Sequence, residues 1–353
     1  DFSQVRGSRE ELGLKMTRGN LYSHFIRALT RAEPKVFVFE NVPGLVSSNG
    51  GAAYKTIIED FENINVKWTE IKNKINKGPN SAKNYFLIFN GIVNSSNIGV
   101  PQKRKRLIIV GVRKDLITSI GESNFSKKSN EILKGEKSLL SKYPISTLEA
   151  FEGKTIPQLQ EKYSKLMEEY RGVETEVGTD EAFKWKEKTW DKLTFDVVQD
   201  YLISNDIEPK NDAEIDDAFE EHKKVLEDLG YYGKPLDGAV FDDNSNEIPN
   251  ESVSVKSRMA HIPPNMNYLF VDGTEWKVKG TMSNIYRRSH PLKPGYTVMA
   301  YGGGGTWSYH YEKSRGMLTN RERARLQTFP DDYMFEGKRS QVRTQIGEAV
   351  PVR

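Results

Sequence analysis

Cysteine is absent from all 353 residues. That excludes disulfides, thiolate metal sites and a cysteine nucleophile within this stretch, and it suits a reducing cytoplasm. Histidine is scarce. His24, His222, His261, His290 and His310 show no H-E-x-x-H or comparable ligand spacing, so no metal site is expected. Long apolar runs are missing too. The longest, such as Leu107–Val110, have the length of a strand, whereas a membrane helix needs about 18 or more apolar residues. The first residues, Asp1-Phe2-Ser3-Gln4-Val5-Arg6, carry neither a start methionine nor the apolar core of a signal peptide. The chain therefore reads as one that begins mid-protein.

What is present is an ordinary composition for a soluble protein of about two domains, with 37% hydrophobic and 29% charged residues. The net charge of +3 hides an asymmetry. Residues 151–230 hold 22 acidic against 11 basic residues, a net of −11, so the remainder carries +14. A basic body suits a polyanion such as DNA, because each neutralised phosphate releases counterions. The same excess also suits a merely solvated surface.

Leu21, Phe25, Ile26 and Leu29 fall at helical spacing, and Pro34 follows the expected helix end. Val36–Phe39 is a short continuous apolar run, repeated in kind by Tyr85–Phe89 and Leu107–Val112. Such runs suit strands buried on both faces, as in parallel sheets. Alternation of helix and buried strand predicts an α/β sheet domain. Residues 114–155 are polar and weakly patterned. Residues 156–229 read as helical, with Ile215, Phe219, Leu226 and Leu229 on one face. Farther on, Pro263-Pro264, Pro294-Gly295 and Gly302–Gly305 predict short strands and loops. A last helix is expected over residues 318–329, opened by a Thr319/Glu322 capping box and closed by Pro330-Asp331.

Two segments carry candidate chemistry. Glu40 follows directly on a strand, at the edge of an α/β sheet where ligands bind. A carboxylate there can accept from an amino group or share a proton with a ring nitrogen; a loop or capping role fits the same residue. In Gln102-Lys103-Arg104-Lys105-Arg106, extended alternation places Gln102, Arg104 and Arg106 on one side and the two lysines on the other. Two guanidiniums on one face suit recognition of oxygens or phosphate; a basic strand edge that resists aggregation would look the same.

Taken in order, Asp1-Phe2-Ser3, Arg18-Gly19-Asn20-Leu21, Glu40-Asn41-Val42, Gln102 to Arg106, Arg321 to Asp331 (R-E-R-A-R-L-Q-T-F-P-D) and Gln345-Ile346-Gly347-Glu348-Ala349-Val350-Pro351 resemble the DNA cytosine-5 methyltransferase family. The resemblance spans nearly the whole chain except residues 115–255. It implies a Rossmann-like methyltransferase sheet, partial here, and a second, mixed α+β target-recognition domain. The corresponding boundaries are 1–113 for the catalytic part, 114–315 for recognition with an acidic helical insertion at 151–230, and 316–353 for the return to the catalytic domain. It implies S-adenosylmethionine as cofactor and double-stranded DNA as partner, in a prokaryotic cytoplasm near the nucleoid.

Residue by residue, the resemblance gives Glu40 the N3 and exocyclic amino group of a flipped cytosine. It gives Arg106 the cytosine O2 and Arg104 a supporting part in the same pocket. Ser3 and Arg18 match residues that grip the flanking phosphates. Leu21, Glu348 and Ala349 match residues that touch the cofactor. Glu348 departs from the pattern, which has asparagine there. In the basic stretch 256–318, Arg258, Asn267, Arg287, Arg288 and Arg315 are candidates for reading base edges. The family's Gly-rich cofactor loop and its P-C-Q nucleophile fall upstream of Asp1 by this alignment. The sequence therefore predicts the C-terminal portion of a restriction–modification methyltransferase, inactive by itself. The alternative is a sequence-specific DNA-binding subunit that needs a second polypeptide carrying the N-terminal motifs. An RNA methyltransferase of the same family is disfavoured by the size of the recognition region.

Overall fold

The computed structural model describes residues 22–75, 78–79, 81–117, 122–135, 137–278, 285–302 and 305–351. These residues fall into two compact units, one built from the chain up to Asn94 and from Lys105 to residue 135, the other from Ser95 to Arg104 and from Lys137 onward.

The first unit is an antiparallel sheet backed by helices. α1 (Tyr22–Ala32) buries Ile26 and Leu29 of the expected stripe and half-buries Phe25; Tyr22 is buried as well, and Leu21 lies outside the described residues. The helix leads into β1 (Val36–Asn41), followed by α2 (Gly44–Ser47), α3 (Ala52–Glu62) and α4 (Ile64–Ile75). β2 (Tyr85–Asn94) and β3 (Lys105–Arg113) complete the sheet in the order β1-β3-β2. α5 (Glu122–Lys134), in a stretch expected to be weakly patterned, packs against β2. Both pairings are antiparallel, which corrects the expectation of parallel strands. The burial of β1 shows why the run misled. Phe37 and Phe39 face the core, while Val36 and Val38 are 50% and 59% exposed, so the strand is apolar on both faces but covered on one among the described residues.

An aromatic cluster fills this core. Phe25, Phe37, Phe39, Phe61 and Tyr85 meet in mostly edge-to-face pairs with ring centroids 5.1–5.8 Å apart, the geometry that ring quadrupoles favour. Gly111 stands opposite Phe37 in the register. A Cβ at Gly111 would lie 2.2 Å from the Phe37 ring, so this cross-strand packing requires glycine.

The second unit is mainly helical. It contains α6 (Leu139–Lys142), α7 (Thr147–Glu152), α8 (Gln160–Glu168), α9 (Val173–Val177), α10 (Asp180–Lys188), α11 (Val197–Ser204) and α12 (Asp212–Asp228), followed by α13 (Val253–Ala260), α14 (Asn320–Leu326) and α15 (Arg339–Glu348). The helical character of the acidic block is as its pattern predicts. Its helices are not a detachable appendage, however. Phe151, Leu159, Tyr163, Leu166, Val197 and Tyr201 share one core with Leu292, Val298, Tyr311, Leu318, Leu326 and Ile346. The Pro/Gly-rich stretch forms loops with isolated bridges at Arg288–Tyr309 and Tyr309–Met317, plus α13. α14 carries the predicted capping box: Thr319 Oγ1 accepts from the Glu322 N–H, and the Glu322 carboxylate accepts from the Thr319 N–H.

Candidate active site

In the first unit Glu40 lies near the end of β1, with Ile108 of β3 opposite. Arg106 lies two residues from Ile108, hence on the same face of the sheet, where diagonal neighbours with long side chains meet. Arg106 Nε sits 2.7 Å from Glu40 Oε1, with 18% and 30% of the two side chains exposed. Arg106 Nη1 donates to the carbonyl of Lys105 at 2.8 Å. Burial pulls the Arg106 pKa down, against the pull of Glu40, yet a guanidinium this basic stays charged. The result is a carboxylate acceptor and a guanidinium donor held side by side, half-buried, with one edge reached by solvent.

The second unit ties four distant segments into one polar knot. Burial alternates as the extended reading predicts: Gln102 and Arg104 are buried, Lys103 and Lys105 exposed. Gln102 Nε2 donates to the Leu326 carbonyl and to Gln327 Oε1, at 2.8 and 2.9 Å, while its Oε1 accepts from Val298 N at 2.7 Å. Gln327 Nε2 in turn donates to the carbonyls of Ile346 and Ala349. Arg104 donates to the carbonyls of Val298, Gly347 and Ala349. Buried amide and guanidinium groups need such partners. This network is a physical reason for the Q-x-R, R-L-Q and Q-I-G segments to occur together. Gly347 fits it closely, since a Cβ there would lie 2.1 Å from the Ala300 nitrogen. Gln327 belongs to the knot and is not among the residues singled out above. A second glutamine in a matched segment is the signal that points to it.

The remaining candidates separate clearly. Arg288 is fully buried and donates to the carbonyls of Met259, Ile262, His310, Glu312 and Arg315. In this arrangement it braces the surrounding loops rather than reading a base edge. Arg315 donates to Glu322 Oε1 at 2.7 Å. Arg258 donates to the Trp276 carbonyl at 2.7 Å and lies over the Tyr286 ring. Asn267 caps Leu269 N with its side-chain oxygen. Arg287, half-buried, stacks over Tyr296 at 3.7 Å from the ring centre. Exposed Glu348 accepts from the Tyr301 hydroxyl, and the Ala349 carbonyl is taken by Arg104 and Gln327. These two do not by themselves form a cradle for a cofactor. Ser3, Arg18 and Leu21 lie outside the described residues. No group of side chains suited to a metal ion occurs among the described residues, and no helix there is long and apolar enough to cross a membrane.

Comparison with known proteins agrees with the sequence. The chain is 49% identical to the DNA (cytosine-5-)-methyltransferase M.ApeKI of Aeropyrum pernix, over 99% of this chain and 76% of that protein. It is 30% identical to the type II methyltransferase M.NgoFVII of Neisseria gonorrhoeae, over 99% of this chain and 63% of the relative. It is 31% identical to the type II methyltransferase M.BbvI of Brevibacillus brevis, over 97% of this chain and 62% of the relative. The chain thus spans somewhat under two thirds of the latter two. The model of C-5 cytosine-specific DNA methylases matches residues 1–353. This match lends no support to the expectations of a C-terminal portion, an inactive chain or a second polypeptide. The chain belongs to the C-5 cytosine-specific DNA methylase family.

Proposed function

We propose that this protein is a DNA cytosine-5 methyltransferase. It transfers a methyl group from S-adenosylmethionine to C5 of a cytosine flipped out of a specific duplex sequence, as the modification enzyme of a restriction–modification system. The observation that carries the proposal is the half-buried Glu40–Arg106 pair at 2.7 Å. Cytosine presents an amino donor, the N3 acceptor and the O2 acceptor along one edge. A carboxylate beside a guanidinium offers the complementary acceptor and donors. Glu40 accepts from the amino group and shares a proton with N3, and Arg106 donates to O2. Withdrawal of electron density toward N3 and O2 makes C6 more electrophilic, which prepares the ring for nucleophilic addition. Extrusion of the base costs a few kcal/mol of stacking and pairing, so contacts to the flanking phosphates belong to the same proposal.

The family chemistry uses a cysteine thiolate, and the 353 residues contain no cysteine. Among these residues the side chains hold and polarise the cytosine, and the nucleophile is not one of them. S-adenosylmethionine supplies an electrophilic methyl group when bound. Glu348 and Ala349 are the described residues that the family resemblance assigns to it.

Expression of the natural gene in a host without cytosine-5 methylation, followed by bisulfite sequencing of the genome, tests the proposal for any target sequence. Protection of one cytosine within one short sequence is the expected result. A stable protein that binds DNA but protects no cytosine would replace the proposal with the binding-subunit alternative.

A further inference from the structure

Most arginines buried in the second unit meet a carboxylate or a set of carbonyls. Arg321 pairs with Asp243, Arg325 with Asp331 and Arg315 with Glu322, while Arg288 and Arg104 each spread over several carbonyls. Arg323 differs. It is only 4% exposed. It donates from Nη2 to the Met299 carbonyl, and its Nε, like that of Arg315, has no hydrogen bond. No carboxylate pairs with it among the described residues. Its neighbour is a second cation. The guanidinium carbons of Arg323 and Arg343 lie 4.9 and 4.3 Å from the centre of the same Trp307 ring. Arg339, one turn before Arg343 on α15, adds a third. The Thr306 hydroxyl, next to Trp307 in the chain, is also buried without a partner.

A cation over an indole gains less than it costs to strip a guanidinium of water. Stacking on Trp307 therefore does not account for two guanidiniums that share one ring with no acid between them. Burial, and then the charge of Arg343, draws the Arg323 pKa down to about 9; burial, and then Arg339, lowers that of Arg343. The cluster has the composition of an anion site: planar donor forks, an aromatic wall that orients them, and uncompensated positive charge. Forked guanidiniums suit tetrahedral oxyanions.

We propose that Arg323 and Arg343, held on Trp307, bind a phosphate group. Arg343, half-buried on α15, is the outer donor that meets the phosphate first. Arg323 is the inner donor that supplies charge from beneath. Two sources share this chemistry: a phosphodiester of the DNA backbone, which rests on the function proposed above, and a free phosphate or mononucleotide, which does not.

Calorimetric titration of the intact chain with inorganic phosphate, and of duplex DNA against salt, separates them. Each is run on wild type and Arg343→Gln, with Trp307→Phe as a second variant that keeps an aromatic wall. The site predicts saturable phosphate binding that weakens at least fivefold in Arg343→Gln. If DNA is the source, duplex affinity falls several-fold as well, and the salt slope drops by about one phosphate. Phosphate binding that weakens while duplex binding is unchanged assigns the site to a free phosphate or nucleotide. Wild type that binds no phosphate, or binds it no better than Arg343→Gln, together with duplex affinity unchanged within twofold in that variant, overturns the proposal. Neither result depends on methyl transfer, so a failure here leaves the Glu40 assignment standing, and the reverse.

Discussion

In the first unit Glu40 and Arg106 meet at 2.7 Å with 30% and 18% of their side chains exposed. In the second, Asp243 and Arg321 meet at 2.8 Å with 1% and 0% exposed. The distances are nearly equal and the consequences differ. The buried pair is locked by further bonds: Arg321 also donates to Ser245 Oγ and to the carbonyls of Pro330 and Tyr333, and Asp243 accepts from the backbone of Ser245 and Phe335. Exchange of any partner there would strand a charge away from water. The Glu40–Arg106 pair borders solvent instead, so a ligand can take up part of the pairing at little cost. The same contact type is scaffold in one unit and a candidate reactive edge in the other, and burial decides which.

The largest stability effect should follow from the buried side of the comparison. Asp243→Ala leaves the Arg321 guanidinium without its acid and should cost about 3–5 kcal/mol, read as a lowered denaturant midpoint. A loss below about 1 kcal/mol, the range of exposed pairs, would place this pair with them. Next in size is the aromatic core of the first unit. Gly111→Ala drives a methyl into the Phe37 ring and should cost about 1–3 kcal/mol. An unchanged midpoint would mean that Phe37 has room to move.

A gentler test is pH. His222, fully buried, has Nδ1 2.8 Å from Glu149 Oε1 and Nε2 2.8 Å from the Tyr143 carbonyl. Both neighbours offer acceptor oxygens, so the protonated ring can donate to each of them. Burial pulls its pKa down most strongly, but the charge and hydrogen bond of Glu149, with the Tyr143 carbonyl, leave it above 6.5. A raised folded pKa means that the stabilisation is fully present below the unfolded value of about 6.5 and is lost as pH rises through the folded value. Thermal midpoints should therefore fall as pH rises above about 6.5, with the slope flattened in His222→Ala. A midpoint that climbs over that range in wild type but not in the variant would reverse the sign.

Much of the site was legible because its signals are local. Glu40 at a strand end, the alternation of Gln102 and Arg104 against Lys103 and Lys105, and the Thr319/Glu322 capping box each need only a few neighbouring residues. Strand direction was not legible, because Val36-Phe37-Val38-Phe39 looks doubly buried whichever way its neighbour runs. The fate of Arg288 was hidden for a related reason. Its carbonyl partners come from the 259–262 and 310–315 segments, and only the tertiary fold brings them to one guanidinium. The lone standing of Arg323 was hidden likewise, since in sequence it differs little from Arg321 and Arg325 on either side.

Glu40→Gln tests the central claim most directly, in the protein expressed from its natural gene. The pair is half-buried and the glutamine amide still accepts from Arg106, so the loss of stability should stay near the roughly 1 kcal/mol upper end for exposed pairs and the variant should remain folded. Single-turnover methyl transfer to duplex DNA should fall by about 10²–10⁴, the usual worth of a positioned proton-sharing group in the transition state. A folded variant that transfers methyl within about threefold of wild type, far short of that range, would contradict the account, because the carboxylate would then not be holding the cytosine.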